Sequence, residues 1–120
     1  MISYYDKLFD KDIGGILELI NTIETLGKNL PVFAKDISRH SRDLLVCKTC
    51  ENANGILNLP KDIFERMNDQ ANKFTEKQLI GYMKLFSGAE AELRYTLSTK
   101  LLLETVSLSA VLEEDLVKKN

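Results

Sequence analysis

Asn29-Leu30-Pro31-Val32-Phe33-Ala34-Lys35-Asp36-Ile37-Ser38-Arg39-His40-Ser41-Arg42-Asp43-Leu44-Leu45-Val46-Cys47 is the stretch that decides the fold. Asn29 is a helix cap, because its side-chain oxygen can accept one of the first free N–H groups. Pro31 fits the first turn, where its missing N–H had no partner to lose. Phe33, Ile37, Leu44, Val46 and Cys47 then give an apolar face with Leu45 beside it. The spacing predicts a helix from Leu30 to about Asn52, roughly 35 Å long, the longest of the chain.

Outward from it, the same period recurs. A short helix is expected from Ser3 to Phe9, broken at Asp10-Lys11-Asp12 by short polar residues that favour turns. Ile13, Ile16, Leu17, Ile20, Ile23 and Leu26 form one stripe on a second helix, with Asp12 as cap and Gly27 as the left-handed stop. Asn52-Ala53-Asn54-Gly55 reads as the clearest break. Pro60 opens a fourth helix to Asn72, with Ile63, Phe64, Met67 and Ala71 on one side. Thr75 and Gln78 match a capping box, and Leu79, Tyr82, Met83, Phe86, Ala89 and Leu93 follow on a fifth helix. Within it, Gly81 and Gly88 either allow close helix approach or only lower its stability. Ser98 caps a sixth helix, Thr99 to Val117, apolar around most of its circumference. Glu113, Glu114 and Asp115 oppose its dipole, Lys118 and Lys119 partly offset them, and the end is expected to fray.

The expectation is therefore all-α, a compact bundle of five to six helices forming a single domain over residues 1–120. Composition agrees. Of 120 residues 44% are apolar, and six Gly and two Pro are too few for a turn-rich β protein. Sixteen basic against eighteen acidic residues leave a net charge of −2, so nucleic-acid binding would need a local basic patch. No apolar run is long enough to span a membrane, the N-terminus lacks a secretory pattern, and two Cys make no disulfide framework. A cytoplasmic location is the expectation.

Residues able to do chemistry are few. Cys47-Lys48-Thr49-Cys50 lies near a helix C-terminus, whereas reactive thiols of this kind sit at an N-terminus. His40 is the sole His, and it stands about 10 Å along the helix from Cys47, too far to share a zinc with bonds of about 2 Å. The Cys pair reads as two small buried hydrophobes. A phosphate-accepting role for His40 is opposed by Asp43, three residues on, whose charge would repel the phosphoryl group. Lys35, Arg39 and Arg42 share one face, a solvated face or else a phosphate-contacting strip. Acid pairs such as Glu90/Glu92 have no accompanying base, and no Gly-rich phosphate loop is present. No catalytic and no metal-binding residue is expected.

Lys35-Asp36-Ile37-Ser38-Arg39-His40-Ser41-Arg42-Asp43-Leu44-Leu45 is followed by Ile56-Leu57-Asn58-Leu59-Pro60. Then come Ala89-Glu90-Ala91-Glu92-Leu93-Arg94-Tyr95 and Leu101-Leu102-Leu103-Glu104. In this order the motifs resemble the C-terminal helical domain of the gamma/tau subunit of bacterial DNA polymerase III, over about residues 5 to 112. Ser41 stands where that family often has Phe, and Leu97-Ser98-Thr99-Lys100 where it often has S-N-P-R. The resemblance implies a collar domain of the sliding-clamp loader, the ring that places the clamp on primed DNA in replication. It implies as partners other gamma/tau copies and the delta and delta prime subunits, with no DNA contact by this domain and no membrane. It implies no cofactor here, ATP and magnesium being expected only for an N-terminal ATPase domain. Arg42, Asp43, Arg94 and Tyr95 lie in the matched motifs and are the candidate subunit-interface residues; hydrogen bonding or helix packing within the domain is their other reading. The functional alternative is a free-standing helical adaptor that takes a partner helix in a groove.

Overall fold

The computed structural model describes the backbone of residues 1–119 and the side chains of residues 1–112. It is all helical: α1 (Ile2–Phe9), α2 (Ile13–Thr25), α3 (Leu30–Thr49), α4 (Ala53–Leu57), α5 (Lys61–Ala71), α6 (Glu76–Glu92) and α7 (Thr99–Lys119). The start signals act as expected. Asp12 accepts from the Gly15 N–H at 2.9 Å, Asn29 from Val32 at 3.1 Å, and Ser98 from Leu101 at 3.1 Å. Thr75 and Gln78 form a complete capping box, at 3.0 and 2.8 Å. Gly27 takes φ +73° after α2, a left-handed conformation that Gly adopts without steric cost.

Three sequence expectations shift. The predicted third helix ends at Thr49, because Cys50 turns extended at φ −108°, ψ 130°. The expected break at residues 52–55 instead contains α4, a five-residue helix. The Asn54 side chain explains it: its Nδ2 donates to the Leu59 carbonyl at 3.1 Å and its Oδ1 accepts from the Leu59 N–H at 2.9 Å. This pair of hydrogen bonds closes the turn that follows α4, and Asn58 takes the left-handed conformation that ends the helix. Gly81 and Gly88 face open space, with nothing within 4 Å of where a Cβ would stand, so they serve no close helix approach inside the chain. The acidic cluster Glu113–Asp115 and the offsetting Lys118 and Lys119 lie outside the described side chains.

The core is built around α3 and α6, the most extensive helix pair. Lys100 at the start of α7 reaches Asn21 at 3.1 Å and Glu24 at 3.6 Å near the end of α2. The end of α6 therefore lies beside the start of α3, and the two run antiparallel. Into this pair α1 drives an aromatic wedge. Tyr4 and Tyr5 are fully buried, and their rings meet Phe33, Phe74, Tyr82 and Phe86 mostly edge to face, the arrangement ring quadrupoles prefer. Each hydroxyl finds a partner: Tyr4 shares a 2.7 Å bond with Ser107 of α7, and Tyr5 donates to the Ile37 carbonyl of α3 at 2.7 Å. Burial pushes both phenols above their ordinary range, so both stay protonated.

Candidate subunit interface

The chemistry-bearing residues occupy positions that disfavour reaction. His40 is 5% exposed and lies against the Tyr5 ring, centroids 4.6 Å apart. The Gln70 amide donates from Nε2 to the Ile2 carbonyl at 2.8 Å and to Asp6 at 2.7 Å. Its Oε1 therefore accepts, and His40 Nε2–H donates to it at 2.7 Å. Burial pulls the imidazole below its ordinary value, and the Gln70 bond only partly opposes this. A neutral ring sealed in this way is a structural tie between α1, α3 and α5.

Cys47 and Cys50 differ from the sequence expectation in being only partly buried, in the last turn and at the C-cap of α3, with Cys47 packed against the core. Partial burial and then the neighbouring Asp43 charge push the Cys47 thiol up, against thiolate formation. Among the described residues no group of three His, Cys, Asp or Glu is placed to hold a metal ion. A crevice lined by Ile13, Ile16, Leu17, Ser107 and Leu108 has no room for a water-sized sphere. No described helix is long and apolar enough to cross a membrane.

The candidate interface residues fall into two separate pairs. Arg42 and Asp43 stand in the second half of α3, joined by a 2.7 Å ion pair, with Arg42 56% and Asp43 18% exposed in their side chains. Arg94 and Tyr95 lie in the α6–α7 connection, both exposed, Tyr95 at 84%. Arg42 lies twelve residues into α3, roughly 18 Å from the end where that connection sits. Among the described residues no hydrogen bond or ion pair links the two pairs.

Around Tyr95 the structure gathers exposed apolar side chains from three helices and a loop. Leu97 is wholly exposed and Leu101 is 62% exposed; Leu26, at the end of α2, is 65% exposed. Lys100 and its two α2 partners bring that end of α2 to the start of α7. Val32, 51% exposed, opens α3 nearby. One end of the bundle thus presents several large apolar side chains although the core is already filled. Scattered exposed apolar residues are ordinary, but several at one end mark an interaction surface. The signal available beforehand was the surplus of Leu on the last helix.

The family model for DNA polymerase III subunits gamma and tau domain III matches residues 1–120. The DNA polymerase III subunit gamma/tau of Mycobacterium bovis is 28% identical over 103 residues, covering 84% of this chain. That of Mycobacterium tuberculosis shows the same identity and coverage. The chain spans 18% of the length of these relatives. No solved structure matches. Over its full extent, residues 1–120, the chain belongs to the domain III family of the gamma and tau subunits of DNA polymerase III.

Proposed function

We propose that this domain is a non-catalytic collar of a sliding-clamp loader, holding gamma/tau copies side by side with delta and delta prime subunits in the cytoplasm. The observation that carries the proposal is the apolar end formed by Leu26, Tyr95, Leu97 and Leu101, exposed after the core is complete. Side-by-side assembly would cover those side chains, and the buried apolar area would supply the driving force. The family membership supports the same reading. ATP turnover belongs to a separate domain, and this one contributes geometry only.

Light scattering on a size-exclusion column, at several concentrations, alone and mixed with partner loader subunits, tests it. Concentration-dependent assembly or co-elution is expected, and Leu97→Asp with Tyr95→Asp should weaken it without lowering the melting temperature. A strict monomer that ignores those subunits at high concentration refutes the collar and favours an adaptor for a single helix.

A further inference from the structure

Two exposed helix faces carry opposite charge in matching order. On α3, Lys35, Arg39 and Arg42 are all exposed. At 100° per residue they fall within about 60° of arc, on the side away from buried Ile37, Ser41 and Leu44. On α5, Asp62, Glu65 and Asp69 are all exposed, again within about 60° and opposite buried Met67, Gln70 and Ala71. Among the described residues, Lys35, Arg39, Asp62, Glu65 and Asp69 take part in no ion pair within the chain, and Arg42 engages only the adjacent Asp43.

The spacings are complementary. Along α3 the cations are separated by four and then three residues; read backwards along α5, the anions are also separated by four and then three. Two such helices laid antiparallel pair Lys35 with Asp69, Arg39 with Glu65 and Arg42 with Asp62, over roughly 10 Å of axis. The flanks agree as well. Asp36 and Asp43 border the cationic stripe on one side, and in this arrangement Arg66 of the facing α5 falls on that same side, between them in height.

Because α3 and α5 of one chain both point these stripes outward, a chain cannot satisfy itself. We infer that the α3 stripe of one copy of this chain docks on the α5 stripe of a second copy. The contact is head to tail, so the first copy keeps its α5 stripe free and the second its α3 stripe. Such heterologous contacts close into rings when the rotation allows. Val32, just before Lys35 on α3, connects the stripe to the apolar end, so the two surfaces are continuous. This inference rests on the collar reading and adds to it the register between neighbours. Exposed ion pairs contribute little net affinity, but mispairing like charges is costly, so the stripes set which faces meet.

The test is a charge swap followed by light scattering and sedimentation. One variant carries Lys35→Glu, Arg39→Glu and Arg42→Glu; the other carries Asp62→Lys, Glu65→Lys and Asp69→Lys. Each variant alone should associate about a hundred-fold more weakly than the parent chain, since like charges then face each other. An equimolar mixture of the two should recover assembly, which also shows that both are folded, and salt should weaken parent assembly. Parent-like assembly of both variants overturns the stripe contact and leaves the collar standing. A parent chain that stays monomeric at every concentration, alone and with partner loader subunits, sinks the collar reading and the stripe contact with it. If the α3 variant loses binding to a DNA oligonucleotide while the α5 variant assembles normally, the cationic stripe is a phosphate-contacting surface and the inference is wrong.

Discussion

Replacing Gln70 tests the tie between three helices most directly. Its amide makes three hydrogen bonds: to the Ile2 carbonyl, to the Asp6 carboxylate and from His40, at 2.8, 2.7 and 2.7 Å. Gln70 is 3% exposed, so water does not stand ready to replace them. In Gln70→Leu the side-chain volume is kept and all three partners lose their bond. The buried His40 N–H then costs about 1–3 kcal/mol, and the lost bond to a charged carboxylate about 1.5–3 kcal/mol. Ile2 is half-buried at the start of α1, and the loss of its carbonyl's bond to Gln70 costs little. The sum is about 2.5–6 kcal/mol, a large part of the roughly 5–15 kcal/mol that holds a domain folded. In Gln70→Ala the vacated polar space admits water, which restores part of the bonding. Gln70→Ala is therefore expected to be less destabilising than Gln70→Leu, the reverse of the usual order for a core position. Urea denaturation reads this as a midpoint fall of about 2 M for Gln70→Leu at a slope of about 2 kcal/mol/M. If both variants unfold within about 0.5 kcal/mol of the parent, or if Ala is the worse one, the network does not hold the helices together.

The remaining expectations concern pH, packing and capping. His40 titrates below its ordinary value when folded, so between that value and about 6.5 the unfolded chain binds more protons. Its contribution is fully present above about pH 6.5 and is lost as pH falls through the folded value. Denaturation midpoints measured from pH 8 to 5 should decline for the parent and less for His40→Gln; parallel profiles refute the assignment, since no other His is present. Phe86→Ala, which removes a ring packed on Tyr4, Tyr5 and Tyr82, should cost about 3–5 kcal/mol by calorimetry or urea. Thr75→Ala should cost about 1 kcal/mol through the capping box, and a change within error would mean the α6 start is held by packing alone.

Features fixed by neighbours in the chain were legible in the sequence. Asp12, Asn29, Thr75 and Ser98 cap helices because their acceptor lies three residues from the N–H it receives, a distance set by the helix itself. Gly27 is equally local. The α4 turn escaped because Asn54 acts through the Leu59 backbone, five residues away, in a pattern outside the usual turn signals. Gln70 read as one more polar position on α5; only packing brings it to Ile2 and Asp6, more than sixty residues distant in sequence. Tyr4 and Tyr5 show spacing that suits a buried face with Leu8, yet eight residues are too few for the hydrophobic period to announce how deeply they enter. Tyr95 became a candidate through its motif, whereas Leu26 and Leu101 share an end of the bundle only because α2 and α7 pack.

Driving the two α1 tyrosines into the core has a mechanical consequence. Terminal helices commonly hang on the outside, where a tug at the chain end peels them away one turn at a time. Here the first helix is anchored by Tyr4 to α7, by Tyr5 to α3 and by Gln70 to α5. A load applied at Met1 is delivered within a few residues to three other helices at once, and peeling has no low-resistance starting point. The domain behaves as a stiff handle: whatever is joined ahead of it can rotate the whole bundle, and torque is transmitted where a loosely attached helix would let it dissipate.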